Sequence, residues 1–374
     1  MATYYVSTTG SDTNTGGAAD PFLTVDKGVS VAGSGDTVNV AAGTYVETST
    51  VSPGAAISIV GATGTASDVV IKQNAARQIV SLSNTLTISD ITLDQDTGGT
   101  SNDTCIEANW RAVMATNCTF KTTLGGIDRA SSGSTIIRCR FIQQKNSAGN
   151  WPNDSECYGL YLFDAGTVES CLFQDFTRFG LWVQSYNPAV QPTVKNCTAI
   201  RLEKSPRTFD AAYLNGPVKA YNCVFIVGDE PSTGDPGDND SATNAANTGN
   251  GSGAGYPFVE ECVAYGTGAD SSDFKNSASY QAFNNCFSQT QVAANGNPIL
   301  VDAPNQDYHP DPTGVAYQSG DTANAPAKDL DDNDFNDPPS MGCLEAAASG
   351  GGGGGGAVMK SRAHFLPSPL TLNP

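Results

Sequence analysis

Seven segments of this sequence align on a cysteine: ATNCTF (Cys118), IIRCRF (Cys139), VESCLF (Cys171), VKNCTA (Cys197), AYNCVF (Cys223), VEECVA (Cys262) and FNNCFS (Cys286). An earlier copy, ISDITL, puts Ile91 where the others carry cysteine. The steps between cysteines are 21, 32, 26, 26, 39 and 24 residues, and the region of Cys157 supplies a further strand set inside the 32-residue step. A period near 20 to 26 residues with variable insertions is solenoid spacing, because a unit that short cannot bury its own apolar side and must stack on the next. In each copy the cysteine and the residue two places later alternate with polar positions, as in a strand with one face turned inward. Stacked in register, successive coils would set cysteine on cysteine ~4.8 Å apart. A reduced thiol behaves as a small buried hydrophobe, and an in-register ladder singles out no pairs, so a file of free thiols is expected rather than disulfides. Zinc is not expected: the sequence has no CxxC pair and two histidines, His309 and His364.

Composition agrees with many short strands joined by turns. Of 374 residues, 40 are glycine and only 15% are charged, and no stretch recurs at helical spacing. One elongated domain fits this length better than two globules. A net charge of -19 argues against nucleic acid as a partner, since phosphate binding needs clustered Lys and Arg. The opening MATYYVSTTGSD has no basic n-region and no apolar h-region, and no segment has the length of a membrane span. Neither a secretion signal nor membrane insertion is therefore expected.

Both ends carry a family resemblance. The stretch YYVSTTGSDTNTGG, followed by PFLTVDKGVSVAGSGDTVNVAAGTYVE, resembles the start of the pectate-lyase-like right-handed β-helix superfamily. The resemblance implies that a short amphipathic segment, about Leu23 to Ala32, caps the barrel before a GDTV strand and a GTY turn. The stretches NPILVDAPNQDYHPDPTGVAYQSG and DLDDNDFNDPPSMGCLE are similar to the terminal coils of that family. Covering about residues 3 to 346, it implies an all-β, single-stranded right-handed parallel β-helix over 1–346 with a short N-terminal capping helix. It implies no single activity, because the superfamily includes lyases, hydrolases, phage tailspikes and catalytically silent surface proteins.

Residues 229–256 (DEPSTGDPGDNDSATNAANTGNGSGAGY) read as an exposed loop between coils. Asp235, Asp238 and Asp240 there, like Asp329, Asp331 and Asp334 near the end, lack the spacing of an EF-hand or a calcium nonapeptide repeat. No metal and no cofactor are expected. Residues 347–356 form a Gly-rich flexible linker. Residues 357–374 change character, and Met359, Lys360, Arg362, Phe365 and Leu366 suit a peptide that docks onto another protein; an unstructured tail is the plainer alternative.

The first strands of several coils also align: CIEANW, GIDRAS, GLYLFD, GLWVQS and AAYLNG. With Ile106, Ile127, Leu160, Leu181 and Ala212 inward, Glu107, Asp128, Tyr161, Trp182 and Tyr213 form an outward column. Stacked aromatics offer flat faces to the CH surfaces of sugars, and Gln184 and Asn215 can hydrogen-bond hydroxyls, so a glycan track is one reading. Glu107 and Asp128, on coils ~4.8 Å apart, approach the ~5 to 5.5 Å separation of a retaining glycosidase. The ordinary reading is that surface carboxylates are common in an acidic protein and that aromatics stack along sheets for stability. A calcium-dependent lyase lacks support: the only basic cluster, Arg201, Lys204 and Arg207, has no aspartate cluster that sequence places opposite it. No GxSxG element, Ser-His-Asp set or phosphate-cradling loop is present.

The expected function is a non-enzymatic virion or surface protein, most plausibly of a tailed phage and assembled in the host cytoplasm. Its β-helix would project outward to meet host surface polysaccharide while the tail contacts other virion proteins. The alternative is a polysaccharide lyase or glycoside hydrolase acting along the β-helix face. A homotrimer, as in many tailspike-like proteins, is left open.

Overall fold

The computed structural model describes residues 1–73, 78–95, 104–146, 149–152, 157–201, 210–227, 244–248, 258–266, 272–276, 282–284, 286 and 298–345. Within them the chain winds through three sheets. Sheet 1 has eleven strands, from Thr3–Val6 through Val113–Thr116 to Ala282–Asn284. Sheet 2 has nine, from Gly43–Glu47 to Val263–Gly266, and sheet 3 has eight, from Val80–Ser81 to Ser272–Asn276. Neighbours within each sheet are parallel and one coil apart, as Val113–Thr116 with Ser134–Ile137 and Thr119–Thr122 with Arg140–Gln143. Parallel strands joined by a full turn of chain follow the right-handed crossover rule. The protein is a single-stranded, right-handed parallel β-helix.

The repeated motif marks the corner between sheets 1 and 2. The residue before each cysteine position turns the chain left-handed: Asp90, Asn117, Arg138, Ser170, Asn196, Asn222 and Glu261 have φ between 46° and 60°. Asn and Asp tolerate that region best, which explains the recurring Asn-Cys. The thiol then fits inside the bend and donates to the carbonyl two residues back, at 3.2 Å from Cys171 to Glu169 and 3.1 Å from Cys223 to Tyr221. All ten cysteines are free, and nine are buried.

Register carries the rest of the core. Val38, Ile59, Ile88, Ala115, Ile136, Val168, Val194, Ala220 and Val259 form one inward file on sheet 1. On sheet 2, Phe120, Phe141 and Phe173 stack with centroids 4.7 and 4.8 Å apart. Room for the rings comes from sheet 3, where a Cβ at Gly159 would lie 2.5 Å from the Gly180 carbonyl oxygen and 2.8 Å from Phe173. The N-terminal end is closed by the helix Val25–Val31, capped by the Thr24 hydroxyl, which accepts from the Lys27 amide. The buried Glu47 carboxylate accepts from the Val25 and Asp26 amides at that helix start.

Three expectations change. The GTY segment is not a turn but the first strand of sheet 2, Gly43–Glu47. Inside 229–256, Asn244–Thr248 forms a strand of sheet 3, pairing with Asp210–Asn215 and Ser272–Asn276, because each coil needs a third side; the remainder of that segment lies outside the described residues. Residues 298–345 add no coil. They form an antiparallel hairpin, Leu300–Asp302 with Asp307–Pro310, then a strap folded back over the outer face of sheet 2. There Leu330, Met341 and Leu344 pack on Leu172, Val224 and Val263 in a second apolar core. The strap is tied down by the Cys343 amide to Thr198 Oγ1, the Gly342 amide to the Asn222 carbonyl and Asn196 Nδ2 to the Ser340 carbonyl. No helix among the described residues is long and apolar enough to cross a membrane.

Candidate functional site

The outer face of sheet 3 holds the side chains singled out above. Glu107 pairs with Asp128, Tyr161 with Trp182, and Trp182 with Tyr213 on neighbouring coils. The file breaks between Asp128 and Tyr161: Ile127 pairs with Leu160 but Ala130 pairs with Leu162, so Asp128 and Arg129 together face one residue. This is a β-bulge, with Arg129 at φ 53°, and a bulge re-aims the side chains it carries.

The consequence falls on Asp128, which is buried rather than solvent-facing, at 2% exposure. One of its oxygens accepts from the Tyr158 hydroxyl at 2.5 Å and the other from Arg129 Nε at 2.7 Å. Arg129 Nη2 also donates to Glu107 at 2.9 Å, so a single guanidinium clamps both carboxylates. The expected pair of exposed carboxylates is thereby corrected to one accessible group, Glu107, beside a buried and fully engaged one. Partial burial and the negative charge of Asp128 push the Glu107 carboxyl up to about 7, against the opposing pull of Arg129. A carboxyl that holds its proton near neutral pH can serve as a general acid.

The aromatic column is present, with different rings exposed. Tyr161 and Trp182 stack on each other, centroids 4.3 Å apart and planes 17° apart, so each occupies a face of the other. Tyr213 stands edge-on to Trp182 at 5.8 Å. The open faces belong to two residues that the strand alignment did not single out. Trp110 is 47% exposed and stands edge-on to Tyr161 and Phe163, with interplanar angles of 77° and 78°. Tyr186 is 51% exposed and stands edge-on to Phe163. Each follows the end of its strand, and Asn109 and Trp110 both have positive φ, which lifts the indole off the sheet. Gln184 and Asn215 are register partners but both are buried, and the Gln184 carbonyl oxygen accepts from the Trp182 indole at 3.1 Å. They brace the column; their expected role as accessible partners for sugar hydroxyls is corrected.

Elsewhere, Arg201 is buried, its guanidinium 4.7 Å from the Trp151 ring, and Lys204 and Arg207 lie outside the described residues. Asp329 is also buried and accepts from the amides of Asp331, Asn333 and Glu345, which folds the strap. Among the described residues no group of three or more His, Cys, Asp or Glu is placed to hold a metal ion. Met359, Lys360, Arg362, Phe365 and Leu366 lie outside the described residues.

Fold and face together define a right-handed parallel β-helix with an aromatic-lined outer sheet. A family model described as "Protein of unknown function (DUF1565)" matches residues 8–53. No curated protein sequence matches the chain. Solved structures similar to it include the pectate lyase Pel9A, at 11% identity and TM-score 0.49, covering 93% of this chain and 97% of that one. A rhamnogalacturonan lyase is similar at 16% identity and TM-score 0.43, covering 76% and 73%. A PL6 family alginate lyase matches at 13% identity and TM-score 0.43, covering 77% of this chain and 40% of its own. The fold assignment rests on the strand pairing itself.

Proposed function

We propose that the outer face of sheet 3 binds a glycan chain, and that the protein displays this face as a surface component of a tailed-phage virion. The observation that carries the first part is the pair of exposed rings, Trp110 and Tyr186, which stand edge-on to the partly buried Phe163, with Trp110 also edge-on to Tyr161. Rings fixed in this way lose little side-chain freedom when a sugar covers them. Titration with oligosaccharides from host capsular or outer polysaccharide, followed by tryptophan fluorescence and calorimetry, tests it. Trp110→Ala and Tyr186→Ala should each weaken binding about tenfold. Saturating host glycans that leave both signals unchanged would overturn it.

Placement on the virion rests on sequence alone, with residues 357–374 docking to neighbouring subunits. Removal of residues 349–374 should leave the β-helix folded and absent from purified particles; normal incorporation refutes that role.

Cleavage is a second reading, favoured by one observation: a Glu107 carboxyl that titrates near neutrality beside the aromatic face. It requires new reducing ends on incubation with a bound polysaccharide, and their loss in Glu107→Gln with binding retained.

A further inference from the structure

The thiol file has one end that meets solvent. Cys118, Cys139, Cys171, Cys197, Cys223 and Cys262 are buried at the corner of sheets 1 and 2, and Cys286, next in the file, is half-buried. Its place is fixed by the inward file of sheet 1: Val259 pairs with Phe283, and Cys262 and Cys286 each follow their own member of that pair by three residues. Each thiol also reaches back over the preceding coil, so that Cys262 Sγ lies 3.8 Å from the Ala220 carbonyl oxygen and Cys286 Sγ 3.5 Å from that of Val259. This reach brings a sulfur against the cysteine before it: the Cys139 amide donates to Cys171 Sγ at 3.4 Å, and the Cys223 amide to Cys262 Sγ at 3.3 Å.

Cysteines one coil apart in register have Cα atoms ~4.8 Å apart, inside the ~4.4 to 6.8 Å that a disulfide spans. Burial shields the rest of the file, whereas a small uncharged oxidant can reach Cys286 without opening a coil, and Cys262 lies directly behind it. The Cys262 thiol and, against the effect of burial, the Cys262 amide donate to Cys286 and hold its thiol below the ordinary value, which raises the share of reactive thiolate. An accessible thiol of this kind beside a second, sheltered one is the arrangement that converts a sulfenic acid into a disulfide.

We propose that Cys286 and Cys262 form a hydroperoxide-reactive pair at the end of the thiol file, closing to a disulfide between neighbouring coils. The Cys286 thiolate attacks a peroxide oxygen; the O–O bond breaks, an alcohol or water leaves with the former thiol proton, and Cys286 becomes a sulfenic acid. The Cys262 thiol then displaces the sulfenic oxygen, which forms the S–S bond and releases water that takes up the Cys262 proton. Two thiols give up two electrons, and one hydroperoxide is reduced. The pair lies at the corner of sheets 1 and 2 and rests on neither the glycan nor the virion reading.

The test is exposure of the full native chain to equimolar hydrogen peroxide, alkylation of the remaining thiols in denaturant, and peptide mass spectrometry. Cys262 joined to Cys286 within one chain is expected, with the other eight of the ten cysteines alkylated. Cys286→Ser should slow peroxide-driven thiol loss about tenfold or more. Cys262→Ala should keep the first step and strand a Cys286 sulfenic acid that dimedone traps, while Cys105→Ser, outside the file, should change nothing. Circular dichroism should show every variant folded, and oxidation carried out in denaturant should lose the preference for this pair. A disulfide between two chains overturns the proposal. So does a sulfenic acid that persists at Cys286 in the native sequence, or native oxidation no faster at Cys286 than at the buried Cys139.

Discussion

Glu107 and Asp128 hang on one guanidinium, that of Arg129. Because the folded protein holds the Glu107 proton up to about pH 7 while the unfolded chain releases it near the usual 4.5, stability from this group is full below about 4.5 and lost as pH rises through about 7. The melting temperature of the native protein should therefore fall across that window relative to Glu107→Gln; parallel curves would disprove the shift. Asp128→Asn removes the nearest negative charge and should move the window to lower pH. It also weakens the bonds from Tyr158 and Arg129 to a buried acceptor, so a loss of about 1 to 3 kcal/mol is expected in urea denaturation. At Trp110 the positive φ is what offers the indole to solvent, a local backbone choice with a recognition consequence.

At the level of elements, a phenylalanine stack in sheet 2 is matched by missing side chains in sheet 3. Gly126, Gly159 and Gly180 each leave space that a neighbouring carbonyl or ring already fills. Gly159→Ala must displace the Gly180 carbonyl or the Phe173 ring and should cost about 1 to 3 kcal/mol, read as a shifted denaturant midpoint. The thiol file makes a different prediction. Cys286 alone is half-buried, so a thiol reagent should modify one cysteine rapidly in the native protein and all ten after denaturation. Rapid reaction of several native thiols would contradict the packing of the corners.

For the whole molecule, the strap divides sheet 2 into a covered apolar half and an open charged half. Without residues 298–374 the β-helix would expose Leu172, Val224, Ile226 and Val263 as a contiguous apolar patch, and self-association is expected. Size-exclusion chromatography of the truncated chain checks this; a monodisperse monomer would show that the second core is dispensable. The strap also sets where the following residues leave: Glu345 lies against Asp329 and Ser340 on the flank of the coils, not at the tip of the helix. If the sequence beyond it docks to a neighbour, the β-helix is held from its side.

The sequence by itself determined the coil. A small residue at a fixed corner, preceded by one that tolerates positive φ, repeats at solenoid spacing, and period-two alternation then decides which side chains face inward. That was enough to align Tyr161, Trp182 and Tyr213. Only the tertiary structure decided what those positions present. A one-residue bulge at Asp128 and Arg129 has no signature in alternation, yet it turns an outward carboxylate into a buried one. Ring orientation depends on contacts between coils, so stacking of Tyr161 on Trp182 hides faces that a strand alignment counts as available. The strap eluded the sequence for a similar reason. Its apolar residues read as one more coil, and the outward apolar residues of Leu172, Val224 and Val263 that it covers become recognisable only once the inward face of each strand is known.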